Sequence, residues 1–178
     1  MCGQEIIQID LEGLNEDVQR FSFELGDAFF AAMAEQGGVP RHQGKVLAYI
    51  DATKGVGCYE FSVHVEGSIT LPCDRCLDDM EQPITADSRV VVKRGERTDD
   101  NDDEVLMVDE KQRMVDLSWF VYETVELAIP IQHVHPEGEC NPRMEEMLAN
   151  YAGGWEDGSE EIDPRWKELE KLRTTIND

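Results

Sequence analysis

Hydrophobic and polar positions alternate through most of the first half of the chain. Ile7, Ile9 and Leu11 are each followed by a polar residue, and Phe21, Phe23 and Leu25 repeat the pattern. A period of two puts successive side chains on opposite faces of a strand. Asp27 then opens a short stretch of helical period carrying Phe29, Phe30 and Met33, and Gly37–Gly38 would end it. Strand alternation returns at Val46, Ala48 and Ile50. It is clearest from Phe61 to Leu71, where Ser62, His64, Glu66, Ser68 and Thr70 occupy the other face. A further strand is expected from Ile84 to Lys93, and a short one at Val105–Val108. Consecutive strands with one polar face predict an antiparallel sheet.

The strongest helical signal follows. Asp116 is placed to cap a helix near 116–129, with Leu117, Phe120, Val121, Thr124, Val125 and Ala128 on one face and Pro130 past its end. Pro142 to Tyr151 reads as another short helix. The expected fold class is α+β, a mainly antiparallel sheet with a few helices. The expected organisation is a domain over 1–152, then an acidic linker and a C-terminal helix over 153–178. In that last segment Asp163 is the cap, Pro164 takes the first turn, and Trp166, Leu169 and Leu172 recur every third position.

Composition narrows the function. With 178 residues, 40% of them hydrophobic, the chain can build a real core. It carries 39 acidic against 16 basic residues, a formal net charge of -23. Such a surface repels nucleic acid except where basic residues cluster, and it favours basic protein partners. The start, MCGQEIIQID, lacks the basic and apolar regions of a secretory signal, and no run approaches the ~18 apolar residues of a membrane helix. A cytoplasmic location is therefore expected. Thiols stay reduced there, so the five cysteines read as metal ligands, redox groups or buried apolar residues.

Cys73 and Cys76 lie between two expected strands, in LPCDRCLDD, at a hairpin tip where both sulfurs can point inward. One such pair is half of a tetrahedral zinc site. The second half can come from Ile131–Cys140, where His133, His135 and Cys140 are three of the chain's nine Cys and His residues. Cys73, Cys76, His135 and Cys140 form a chemically sensible set for Zn2+. Ordinary packing of two histidines and a cysteine after a helix is the competing reading. A thiol–disulfide protein would use the same pair. Against that, no helix start follows Cys76, and Asp78, Asp79 and Glu81 are expected to raise the thiol pKa values. Cys2 as an N-terminal nucleophile finds no supporting residues. No phosphate loop, dinucleotide fingerprint or nucleophile elbow is present. Catalytic and cofactor-binding residues are therefore assigned to none. Arg75, Arg89, Lys93, Arg94 and Arg97 form the least acidic stretch, the place for an RNA or partner contact against an ordinary mixed-charge surface.

The segments GSITLPCDRCLDDMEQPI and VDLSWFVYETVELAIPIQHVHPEGEC resemble the YceD-like family of large ribosomal RNA subunit accumulation proteins. The resemblance rests on Cys73, Arg75, Cys76, Leu77, Asp116, Leu117, Glu123, Leu127, Pro130, His135 and Cys140, within roughly residues 5–145. It implies a non-enzymatic role in accumulating 23S rRNA and building the large subunit. The implied partners are rRNA, a basic ribosomal protein or an assembly factor, with no membrane and no small-molecule substrate. Many members carry a further cysteine cluster that this chain lacks after Cys140, which makes His135 the natural substitute ligand.

Overall fold

The computed structural model describes residues 6–39, 43–95 and 105–152. Its elements in chain order are β1 (Gln8–Asp10), β2 (Gln19–Leu25), α1 (Asp27–Glu35), β3 (Gln43–Lys54), β4 (Cys58–Pro72), β5 (Asp79–Arg94), β6 (Val105–Val108), β7 (Met114–Asp116), α2 (Ser118–Ala128) and α3 (Pro142–Ala152). Two units divide between Glu139 and Cys140. The α+β class and the mainly antiparallel sheet hold.

In the first unit, five strands run in the order β2-β3-β4-β5-β6. The first four are joined in sequence by antiparallel pairing, and β6 adds to β5 in parallel. The sheet is longer than the apolar alternation indicates, because β3, β4 and β5 continue past their buried stretches into paired polar residues. One sheet face holds Phe23, Leu25, Val46, Ala48, Ile50, Phe61, Val63, Val65 and Ile69. Phe29, Phe30 and Met33 of α1 and Val121 and Val125 of α2 join the same core. Each fully buried Phe contributes on the order of 2–3 kcal/mol by leaving water. The other sheet face carries the polar half of each alternation, including the rows Arg20–Asp51–Ser62–Arg89 and Glu24–Leu47–Glu66–Thr85. Gly67 sits where β4 crosses β3 so closely that a Cβ would meet the Lys45 carbonyl oxygen at 2.2 Å.

A small ribbon closes the unit. β1 pairs with β7 antiparallel, Ile9 opposite Val115. The Arg113 guanidinium donates to the Asp10 carboxylate at 2.6 Å, and the buried Ser118 Oγ accepts the Ile7 N–H at 2.7 Å.

The helix boundaries show where local signals mislead. Gly26, not Asp27, is the N-cap of α1, and its carbonyl accepts the Phe29 N–H. Asp27 turns its Oδ1 instead to the Gly44 N–H at 3.3 Å. Gly37, at φ 105°, and Gly38 end α1 as expected, with the Gly38 N–H donating to the Met33 carbonyl. Asp116 does cap α2, from one residue ahead of the N-cap position: its Oδ1 accepts the Ser118 N–H at 2.8 Å.

In the second unit, α3 starts as its sequence predicts. Pro142 fills the first helical position, and Asn141 Oδ1 accepts the Arg143 N–H at 3.1 Å. The expected linker and helix over 153–178 lie outside the described residues.

Candidate metal centre

The knuckle forms because β4 and β5 stop pairing at Pro72 and Asp79. Six residues must then reverse the chain. The Cys73 N–H donates to the Asp78 carbonyl and the Leu77 N–H to the Cys73 carbonyl, each at 2.9 Å. Closing this loop puts Leu77 at φ 64°, a left-handed conformation rare for a side chain of its size. The turn aims Cys73 and Cys76 inward, and both are buried.

The segment after α2 docks against this loop. The Asp74 N–H donates to the His133 carbonyl, and Asp74 Oδ2 accepts the His133 N–H, both at 2.9 Å. The His133 ring Nε2 stands 3.5 Å from Asp74 Oδ1. His133 is thereby a positioning residue rather than one of the donors. Two residues later, His135 Nδ1 comes to 3.3 Å from Cys76 Sγ, and its N–H points at Cys73 Sγ at 3.5 Å. The sulfurs of Cys73 and Cys76 and a ring nitrogen of His135 lie within 4.8 Å of one another, and Cys140, the fourth expected donor, is a buried residue at the start of the second unit.

That donor set suits a metal ion. Donors bonded to one tetrahedral zinc at 2.0–2.3 Å stand roughly 3.3–3.8 Å apart. Two buried thiols and one imidazole in the first unit match the ligand chemistry of a structural site.

The electrostatics depart from the sequence expectation. Burial pushes the Cys73 thiol up, but backbone N–H groups of Cys76, His135 and Arg75 and the His135 side chain outweigh it and bring its pKa down to about 5. Amides held against the sulfur act at closer range than the solvated carboxylates of Asp78, Asp79 and Glu81, which is why the neighbouring acids do not raise it.

The basic residues are dispersed among partners. Arg89 donates to Glu60 at 2.5 Å, and Arg94 lies over the Tyr59 ring at 5.5 Å. Lys93 is exposed opposite Cys58, Arg75 is exposed at the knuckle tip, and Arg97 lies outside the described residues. Cys58 is half-buried, less enclosed than its strand position suggests, and Cys2 and His42 also lie outside the described residues. His64 is on the polar face as expected, but it has partners invisible in sequence: Asp87 Oδ1 at 2.8 Å and the Tyr49 ring stacked at 6.2 Å. Asp74 is the residue at this loop whose contacts the sequence reading passed over. Its signal was an Asp directly after the first cysteine, placed to hydrogen-bond across the turn.

A family model described as "Large ribosomal RNA subunit accumulation protein YceD" matches residues 61–173, which takes in the knuckle, α2 and the His135–Cys140 segment. The chain belongs to the YceD family. It is also similar to the uncharacterized protein YlbN of Bacillus subtilis (strain 168), with 30% identity over 118 residues, 63% of this chain and 64% of that protein. The matched stretch thus spans less than two thirds of that relative's length. No solved structure matches. The YceD family description names accumulation of an RNA and no reaction. Among the described residues, no helix is long and apolar enough to cross a membrane.

Proposed function

We propose that this chain is a non-enzymatic, cytoplasmic accessory factor of large ribosomal subunit biogenesis, supporting 23S rRNA accumulation through a ribosomal protein or assembly factor. Its YceD family membership is the observation that carries this reading. The net charge of -23 favours a basic protein over bare RNA as the direct contact.

In this reading Cys73, Cys76, His135 and Cys140 hold a structural zinc ion. The ion would supply no chemistry beyond cross-linking the knuckle to the segment after α2. The clustering of Cys73, Cys76 and His135 and the N–H groups directed at Cys73 Sγ support it. A thiol–disulfide role fits less well. Both knuckle sulfurs are buried, which hinders the approach of an incoming disulfide.

Depletion in the source organism, followed by quantification of 23S rRNA and 50S particles, tests the role. A fall in both is expected, and unchanged levels would refute it. Metal analysis of protein purified without chelator tests the ion, with one zinc per chain expected.

A further inference from the structure

On the solvent face of the sheet, away from the metal centre, β2, β3 and β4 place Glu24, Leu47 and Glu66 in one cross-strand row. Leu47 is 39% exposed, an apolar residue between two glutamates on a mostly polar face. It floors an open groove of about 700 Å³ walled by Glu24, Lys45 and Glu66. Gly26 and Gly67 also line the groove, and Gly67 cannot carry a side chain without striking the Lys45 carbonyl.

Charge decides what this groove would accept. The arginines elsewhere on this face are already engaged, Arg20 by Asp51 at 2.6 Å and Arg89 by Glu60 at 2.5 Å. Among the described residues, Glu66 has a contact with the His64 ring at a marginal 4.0 Å, and no ion pair is found for Glu24. Two carboxylates therefore face the groove against one cation, Lys45. The strands bearing Glu24 and Glu66 flank β3, so the carboxylates stand roughly 10 Å apart across Leu47. A Lys or Arg side chain fits this layout: its methylene stem covers Leu47 and its charged head reaches a carboxylate.

We infer that this groove is a docking site for a Lys/Arg-rich segment of a protein partner. The inference rests on the proposed role and names the surface by which the partner is held. RNA is disfavoured, because its phosphates would meet Glu24 and Glu66.

The test uses the full chain and a fluorescein-labelled, roughly ten-residue peptide of repeating Arg-Ser-Lys-Leu, read by anisotropy at about 0.15 M salt. Wild type is expected to bind it. Glu24→Gln/Glu66→Gln keeps shape but removes both charges, and should weaken binding about tenfold or more. Glu35→Gln/Glu110→Gln removes the same charge elsewhere and should change it less than about twofold. Circular dichroism and thermal unfolding verify that both variants fold. Equal losses in the two variants, no binding by wild type, or tighter binding of a labelled RNA of equal length would each overturn the proposal. Complementation of depleted cells separates this idea from the role itself. Wild type should restore 23S rRNA and Glu24→Gln/Glu66→Gln should not. Full restoration by that variant sinks the groove and leaves the role intact. No effect of depletion sinks the role, and the peptide titration still judges the groove.

Discussion

His135 Nδ1 lies 3.3 Å from Cys76 Sγ although the two are 59 positions apart in the chain. In the proposed site this thiol and imidazole are two donors to one ion. Cys76→Ser and His135→Ala are each expected to lower zinc content below one per chain and to lower the unfolding midpoint, as a chelator should for wild type. With free metal 1,000-fold above its dissociation constant, the lost stabilisation is about 4 kcal/mol. Elemental analysis and urea titration check this. A variant with full zinc and an unchanged midpoint would remove that residue from the site.

Asp74 makes two hydrogen bonds to the His133 backbone, one from its own N–H and one accepted by its carboxylate, and so fixes the approach of His135. Removing its carboxylate leaves all four donors in place but unclamps the segment that bears one of them. Asp74→Ala should weaken zinc binding about 10–100-fold. Competition against a chromogenic chelator gives the number.

Leu77 adopts φ 64° and is 69% exposed, so its side chain gains little from packing to offset the strain. Relief of about 1–2 kcal/mol on going to glycine slightly exceeds glycine's extra chain entropy of about 0.5–1 kcal/mol. Leu77→Gly should therefore raise the urea midpoint slightly. The β-branched Leu77→Val should lower it. A loss in the glycine variant comparable to that in the valine variant would show that the left-handed turn does not persist in solution.

The buried Ser118 hydroxyl accepts the Ile7 N–H, joining the start of α2 to the strand before it. Ser118→Ala leaves that amide without its acceptor, at a cost of about 1–3 kcal/mol. Equilibrium denaturation at constant zinc measures it.

The Arg113 guanidinium hydrogen-bonded to Asp10 holds its carboxyl below the ordinary 3.8. A carboxyl depressed in the folded state adds stability above 3.8 and loses it as pH falls through the lower folded value. The difference in melting temperature between wild type and Asp10→Asn should stay constant from about pH 7 to 5 and shrink only below that range. A difference that grows on acidification would contradict the pairing.

Much of this architecture is legible in the sequence, and the exceptions share a cause. The alternation from Phe61 to Leu71 and the stripe from Leu117 to Ala128 report burial directly, so β4 and α2 were expected. Cys73, Cys76, His135 and Cys140 stand out because their types are scarce in this chain. What could not be read depends on neighbours remote in sequence. β7 is three residues long and exists only because β1 pairs with it. The parallel addition of β6 to β5 leaves no local trace. The low pKa of Cys73 comes from amides aimed at its sulfur, whereas the sequence displays only the acids beside it. Gly26 is the N-cap of α1, and the Asp27 side chain is turned to Gly44, a residue of β3.

The ribbon of β1 and β7 also bears on the order in which the molecule is built. β2 to β5 close through successive hairpins, and the knuckle loop completes as soon as β5 follows β4. Ile7 must instead wait for Ser118, 111 positions later. A nascent chain leaving its ribosome therefore has its sheet and two cysteines in place before its first strand has anywhere to go. Those early amides remain open to solvent exchange until the segment carrying His135 is about to emerge.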